Sequence, residues 1–142
     1  MIRKLENNDI DRVMDIWLRS TVKAHHFIEK EYWEDNYDTV KNIYIPMADT
    51  YVYEKDEIKG FISIINNEFI GALFVDNESQ GQGIGKALIR YVQNKYGVLN
   101  LAVYKDNYKS VEFYKKVGFK IKSENINEDT NFPEYIMENK VE

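Results

Sequence analysis

Three glycines within five residues mark the part of the sequence that is best suited to bind an anion. The stretch reads Gln80-Gly81-Gln82-Gly83-Ile84-Gly85-Lys86, and apolar residues then recur at the spacing of one helix face. Glycine lets a ligand approach backbone N–H groups closely, and a helix that starts here adds unpaired N–H groups and the positive end of its dipole. The sequence therefore predicts a strand-to-helix turn that holds a phosphate group.

Several interpretations of this turn remain open from the residues alone. A nucleoside-triphosphate loop, G-x-x-x-x-G-K-S/T, requires glycine at Gln80 and a hydroxyl at Ala87. A dinucleotide-binding turn, G-x-G-x-x-G, requires glycine at Lys86. The pattern Q/R-x-x-G-x-G/A is matched at every fixed position from Gln80 to Gly85. A tight turn without any ligand would need only one glycine.

Length and composition restrict the class of protein. The 142 residues correspond to one domain, so we expect a single domain over residues 1–142. No apolar run reaches the ~18 residues of a membrane span and no signal peptide is evident, which predicts a cytoplasmic protein. The chain has no cysteine and only two histidines, so no metal site is expected. Its net charge of −5 argues against nucleic acid and favours a cationic partner.

Strand-like and helical periods predict a mixed α+β fold with a mostly antiparallel sheet. The predicted strands cover residues 2–5, 51–53, 58–65, 69–75, 99–104, 119–122 and 135–137. The predicted helices cover residues 9–23, 25–44 with a break, 84–96 and 107–117. A right-handed crossover through the third helix is expected to place strands 4 and 5 parallel to each other.

Single residues are expected to fix the ends of these elements. Asn8 is a predicted N-cap of the first helix, and Pro46 is expected to end the second helical region. Asn66-Asn67 predicts a hairpin turn because asparagine tolerates positive φ. Gly97 and Gly118 are predicted to close the helices that precede them.

The segment from His25 to Tyr44 mixes aromatic and acidic residues. One interpretation is an aromatic stripe that faces the core, with the acids on a solvated face. The other is the wall of a pocket that attracts a cationic amine. Both interpretations remain open from the sequence.

Three motifs in a fixed order resemble the GNAT superfamily of acetyl-CoA-dependent N-acetyltransferases. They are Gln80 to Gly85, the pattern N-x-x-S-x-x-F-Y from Asn107 to Tyr114, and Gly118-Phe119. The stretch from Trp17 to Ile28 is similar to the bacterial YiaC-like branch, which acetylates lysine side chains of proteins or peptides. The resemblance covers nearly the whole chain. It implies the GNAT fold, with about seven strands, about four helices and a sheet that splays open between strands 4 and 5.

The resemblance also implies an acetyl-CoA site in that opening. Backbone groups of Phe74 and Val75 would hold the pantetheine arm, and an N–H near Phe74 would stabilise the oxyanion. Asn107 would bond the pantetheine or cap its own helix. The pyrophosphate would lie on the turn, whose members are Gln80, Gly81, Gln82, Gly83, Ile84, Gly85 and Lys86.

Two steps of proton transfer are implied by the same resemblance. Tyr114 matches the family's tyrosine, and a phenol can protonate the departing CoA thiolate. A lysine acceptor must lose a proton first, because only about one part in a thousand is neutral at pH 7. Glu68 is the nearest carboxylate on strand 4. Glu31 or His25 acting through water are alternatives, as are a water relay and an acceptor that arrives neutral.

The acceptor would lie against His25, Phe27 and Phe69, and Gly71 would mark a bulge that opens the sheet. The implied reaction is acetyl transfer to a primary amine, a lysine side chain or an N-terminus, by direct attack in a ternary complex. Transfer to a small amine or amino acid is one alternative. A non-catalytic acyl-CoA-binding module is another alternative. In each case we expect a monomer or a homodimer.

Overall fold

The computed structural model describes residues 1–139, and within them one mixed sheet has the order β1-β2-β3-β4-β5-β7-β6. The strands are β1 (Ile2–Lys4), β2 (Asp49–Lys55), β3 (Glu57–Ile65), β4 (Phe69–Val75), β5 (Leu99–Tyr104), β6 (Lys120–Ile126) and β7 (Pro133–Asn139). All neighbouring pairs are antiparallel except β4 and β5, which are parallel. The predicted fold class and the parallel pair are confirmed.

Helices cover both faces of the sheet. They are α1 (Ile10–Ala24), α2 (Lys30–Asp35), α3 (Tyr37–Thr39), α4 (Ile45–Met47), α5 (Ile84–Lys95) and α6 (Tyr108–Lys116), with a π-helical turn at Val40–Tyr44. The apolar stripe of α1 packs with Val52 and Phe61 on one face. The stripes of α5 and α6 pack with Ile62 and Leu101 on the other face. Burial of both stripes is the main source of stability.

The sheet opens between β4 and β5. These strands pair only at Phe69 with Asn100 and at Ile70 with Leu101, and then diverge. Gly71 forms the predicted bulge, because the β3–β4 register shifts at this point. A Cβ on Gly71 would lie 2.7 Å from Ile65 Cδ1, so a larger residue at the bulge would have to displace the end of the Ile65 side chain. The bulge leaves the ends of the two strands free to separate.

Two predicted helix ends are wrong. The Asn8 side chain does not cap α1; instead a 3₁₀ turn at Asn7–Asp9 precedes it, with a capping box between Glu6 and Asp9. Gly97 does not supply a left-handed C-terminus, because α5 ends at Lys95 and the backbone of Tyr96 is already extended. In both cases a residue next to the predicted one makes the hydrogen bond that ends the helix: Asp9 at the start of α1 and Tyr96 at the end of α5.

Other local predictions need smaller adjustments. Pro46 lies in the first turn of α4 rather than after it, so the helical region continues to Met47. The last two strands are longer than predicted, and β6 is exposed along its whole length, so it has no alternation of buried residues from which its end could be predicted. The turn at Asn66-Asn67 is confirmed, with φ of 54° and 63°. Gly118 closes α6 with φ of 103°, also as predicted.

Two searches of residues 1–139 bear on the class of site. No helix among them is long and apolar enough to cross a membrane. They also contain no group of three or more His, Asp or Glu side chains placed to hold a metal ion.

Candidate active site

The glycine turn has the backbone shape that an anion site requires. Gly81 and Gly83 adopt φ of 80° and 81°, which side chains rarely tolerate. A Cβ at either position would meet no protein atom within 4 Å, so the backbone lies open to a ligand. The first helical hydrogen bond of α5 runs from the Ala87 N–H to the Gly83 carbonyl. The N–H groups of Ile84, Gly85 and Lys86 come before this first helical hydrogen bond, so they have no partner within the helix and face the turn.

Side chains around the turn fix it to the rest of the protein. Ile84 is buried and anchors the start of α5, while Lys86 is exposed. Gln80 donates from Nε2 to the Val75 carbonyl at 3.4 Å, and Ser20 Oγ donates to the same oxygen at 3.0 Å. The turn is thereby held against the end of β4.

The backbone of β4 offers alternate residues to the opening. Asp76 donates its N–H to Lys59 on β3 at 2.8 Å, and Phe74 pairs with Phe61 on β3. Because successive residues of a strand direct their backbone groups to opposite sides, those of Leu73 and Val75 face away from β3. The N–H near Phe74 that is the predicted oxyanion donor would therefore belong to Leu73 or Val75, since the N–H of Phe74 itself is directed to β3.

A cleft of about 190 Å³ occupies the space where β4 and β5 diverge. Both strands line it at Ile70–Phe74 and Leu101–Tyr104. The other lining residues are Trp17, Thr21, His25, Trp33, Asn107, Ser110, Tyr114 and Glu134. A larger surface depression of about 730 Å³, bordered by Tyr51 and Lys95, lies elsewhere and contains none of the predicted site residues. The smaller cleft is lined by His25, Phe74, Asn107 and Tyr114 of the predicted site, which makes it the candidate active site.

Tyr114 presents its side chain to this cleft from α6. Its ring is held edge-on by Phe113 and Phe119, at 5.3 and 5.6 Å between centroids. Burial raises the pKa of the Tyr114 phenol well above its usual range, and burial is the only cause. The hydroxyl thus stays protonated at neutral pH and has no hydrogen-bond partner among residues 1–139. A buried, protonated and unpartnered hydroxyl in a cleft can donate a proton to a ligand.

Asn107 is the N-cap of α6. This is one of the two roles that were predicted for it. Its Oδ1 accepts from the Ser110 N–H at 3.4 Å. Its Nδ2 lies 3.3 Å from His25 Nε2, across 82 positions of sequence. The amide therefore connects the start of α6 to the end of α1 and borders the cleft.

His25 is a buried, neutral residue of the cleft wall. Its Nδ1 lies 2.9 Å from the Thr21 carbonyl, and its ring stacks on Trp33 at 5.0 Å. Burial lowers the pKa of His25 to about 4. With Nδ1–H donating to Thr21, Nε2 accepts from Asn107, so both ring nitrogens are occupied. This geometry fixes the His25 ring and leaves neither ring nitrogen free to take a proton from an amine.

The depressed pKa of His25 predicts sensitivity to acid. The folded-state pKa of about 4 lies below the ordinary 6.5, so the unfolded chain binds this proton first. Stability should therefore fall as the pH drops from 6.5 to 4, by up to about 3 kcal/mol from this residue. Urea unfolding at pH 7 and pH 4.5 measures the loss, which should be smaller in His25→Gln. His26 is exposed, so His26→Gln is the control and should lose as much stability as the parent. Equal losses of stability in the parent and in His25→Gln would contradict the prediction.

The remaining predicted residues lie at two different places. Phe27 contacts Tyr104 and Phe132, with centroids 5.8 and 5.2 Å apart, at the cleft side of the α1–α2 connection. Phe69 and Glu68 lie at the closed end of the opening, where the Glu68 carbonyl accepts from Asn100 at 2.8 Å. Glu68 is exposed and, at about 3.3 Å per residue, roughly 16 Å along the strand from Leu73. The structure does not bring Glu68 or Phe69 together with Tyr114.

Sequence reasoning missed other residues of the cleft. Leu73 could have been found by applying strand alternation from Val75. Trp33 and Tyr104 lay in segments that were recognised as aromatic or as strand, but nothing local placed them beside His25. Glu134 had no signal, because only the pairing of β7 with β5 brings it to the cleft.

The chain resembles known proteins along almost its full length. Residues 20–138 match the acetyltransferase (GNAT) domain family. The chain is 36% identical over 138 residues to peptidyl-lysine N-acetyltransferase YiaC of Escherichia coli K12, covering 96% of this chain and 94% of that protein. It is 32% identical over 122 residues to peptidyl-lysine N-acetyltransferase YjaB of the same strain, covering 84% and 82%.

A solved structure agrees with these relatives. The solution structure of apo YjaB from Escherichia coli has a TM-score of 0.84 and 29% identity, and it covers 97% of this chain and 95% of that one. The overall backbone path of the two chains is therefore the same. With the match over residues 20–138, these similarities lead to one conclusion: the chain is an acetyltransferase of the GNAT family.

Proposed function

We propose that this enzyme transfers the acetyl group of acetyl-CoA to the side-chain amine of a lysine in a peptide or protein. The observation that carries the proposal is the Tyr114 hydroxyl, buried in the cleft between β4 and β5 without a hydrogen-bond partner among residues 1–139. A module that only binds acyl-CoA has no use for such a group. The 36% identity to a peptidyl-lysine N-acetyltransferase supports the choice of acceptor.

The donor would be held by backbone groups more than by side chains. The N–H groups at the start of α5, together with Gly81 and Gly83, would bind the pyrophosphate. Leu73 and Val75 would pair with the pantetheine arm as an added strand, and one of their N–H groups would stabilise the oxyanion.

Transfer would proceed by direct attack. The neutral amine nitrogen forms a bond to the thioester carbon, the carbon–sulfur bond breaks, and Tyr114 gives its proton to the departing sulfur. The proton left on nitrogen then restores the phenol. Bringing amine and thioester together in one cleft supplies a large part of the acceleration.

The charge of the chain favours a cationic acceptor. The net charge is −5, and Glu29, Glu31 and Glu34 are exposed beside the aromatic residues of the α1–α2 region. A positively charged peptide would be attracted to this surface, and salt would screen the attraction. A small amine without further charge would gain less. The remaining proposals are a cytoplasmic bacterial enzyme, a single domain over residues 1–142, and a monomer or homodimer that binds no nucleic acid or metal.

The test is an acetyl-CoA consumption assay on a panel of peptides and amines, with mass spectrometry of the products. Lysine peptides flanked by basic residues should react faster than an acidic peptide of equal length, and the difference should shrink as salt rises from 20 to 500 mM because charges are screened. Products should carry acetyl on the lysine side chain. Preference for a free amino acid would favour the small-amine alternative. Binding of acetyl-CoA without turnover on any amine would favour the binding module.

A further inference from the structure

One carboxylate lines the cleft that contains Tyr114. Within residues 1–139 it is Glu134, the second residue of β7. Glu134 lies directly opposite Tyr104 in the β5–β7 register, and it is half-buried. Tyr104 in turn lies against His25 and Phe27 of the α1–α2 connection. Glu134 is therefore on the same face of the sheet as the aromatic wall.

Within the described residues, no cationic side chain pairs with this carboxylate. Its Oε2 accepts one hydrogen bond, from Asn127 Nδ2 at 3.3 Å. The nearest lysine along β5, Lys105, pairs with Glu124 at 3.4 Å instead and lies over the Tyr135 ring. No Lys, Arg or His of residues 1–139 forms an ion pair with Glu134. A half-buried carboxylate without a counter-ion is a place where a ligand's positive charge is favourable.

The groups that face Glu134 suit an ammonium ion. Tyr104, Phe27 and Phe132 form one connected set of rings beside it. The pKa of Tyr104 is raised by burial first and then by the charges of Glu134 and Asp129. Asp129 accepts from the Tyr32 hydroxyl at 3.4 Å and adds a second negative charge near Tyr104. Aromatic faces and carboxylates both attract ammonium groups.

The other candidates for a proton acceptor are placed less well. Glu68 is exposed at the closed end of the opening, and Glu31 is exposed on α2 outside the cleft lining. Both ring nitrogens of His25 are engaged by Thr21 and Asn107. Glu134 alone among these combines a free carboxylate oxygen with a position in the cleft.

We propose that Glu134 binds the acceptor's ammonium group and takes its proton, which makes Glu134 a catalytic residue of the last strand. This rests on the function proposed above. One proton passes from the ammonium nitrogen to the Glu134 carboxylate, and the neutral amine then attacks the thioester carbon. Glu134 returns that proton to water after the product leaves, while Tyr114 protonates the sulfur.

The variant Glu134→Gln tests the assignment, because glutamine keeps the shape and an oxygen for Asn127. At pH 7, kcat/KM for a lysine peptide should fall about 100-fold, within the usual range for a general base, while the Kd for acetyl-CoA and the melting temperature stay unchanged. The deficit should shrink as pH rises towards about 10, because the solvent then supplies neutral lysine. Glu112→Gln, which removes an exposed carboxylate on α6 that pairs only with Lys115 among the described residues, is the control and should keep the parent's rate.

The outcomes separate the two proposals. Parent-like turnover by Glu134→Gln at pH 7 overturns the assignment and leaves the acetyltransferase function standing. A deficit that is the same at every pH also overturns it, because such a loss reflects binding or structure and not proton transfer. A parent that binds acetyl-CoA but acetylates no amine overturns the proposed function, and the assignment with it.

Discussion

Replacing Tyr114 with phenylalanine should lower kcat by about 10²–10⁴, the usual span for loss of a general acid. Phenylalanine keeps the ring and its edge contacts with Phe113 and Phe119, so packing is preserved. What disappears is the cleft hydroxyl, whose pKa is raised by burial and which therefore carries its proton at neutral pH. Stopped-flow or steady-state release of CoA measures kcat, and calorimetry measures the Kd for acetyl-CoA, which should stay the same.

The same helix provides the matched control for this prediction. Tyr108 is 72% exposed in the first turn of α6, so Tyr108→Phe removes a phenol that faces water and should leave kcat unchanged. A thioester whose thiol leaves without protonation should be affected much less by Tyr114→Phe than acetyl-CoA is. Turnover by Tyr114→Phe at the parent's rate would mean that Tyr114 is a packing residue and that the proton comes from elsewhere.

Replacing Gly83 with valine should weaken acetyl-CoA binding at least tenfold, which corresponds to about 1.4 kcal/mol. Gly83 has φ of 81°, and a β-branched residue is strained there whatever the space around it. Relief of that strain would turn the N–H groups at the start of α5 away from the pyrophosphate. Calorimetric titration with acetyl-CoA measures the effect, and a melting curve shows that the fold is retained.

Gly97 is the control position for the glycine turn. It follows the other end of α5, has no positive φ, and would also accommodate a Cβ without any contact within 4 Å. Gly97→Ala should therefore bind acetyl-CoA as the parent does. Equal affinity for the parent and Gly83→Val, with normal melting, would remove the glycine turn from the binding site.

Several features of this protein follow from local sequence alone. The glycine turn, the Asn66-Asn67 hairpin and the Gly118 helix end each depend on backbone angles that few residues adopt, so a short stretch is sufficient to predict them. The buried face of α6 with Val111 and Tyr114 depends on helical period, which is likewise local. These elements establish the fold class and the donor end of the candidate site.

Tertiary structure decided where the sheet opens and which groups of β4 face the cleft. Local reasoning selected Glu68 because it starts β4, but the opening begins beyond Ile70, where the bulge at Gly71 lets the strands part. Which backbone groups of β4 face that opening depends on the pairing of β4 with β3, and this register favours Leu73 over Phe74.

Contacts between residues that are distant in the sequence could not be predicted from local patterns either. His25 stays neutral because the folded chain buries it, and Asn107, 82 positions away, engages its Nε2. Glu134 reaches the cleft only because β7 pairs with β5. By itself the sequence determined the glycine turn, the helix that carries Tyr114 and the class of fold, because these follow from neighbouring residues. Tertiary structure decided the charge state of His25 and the neighbours of His25 and Glu134, since burial and strand register arise only when the whole sheet is assembled.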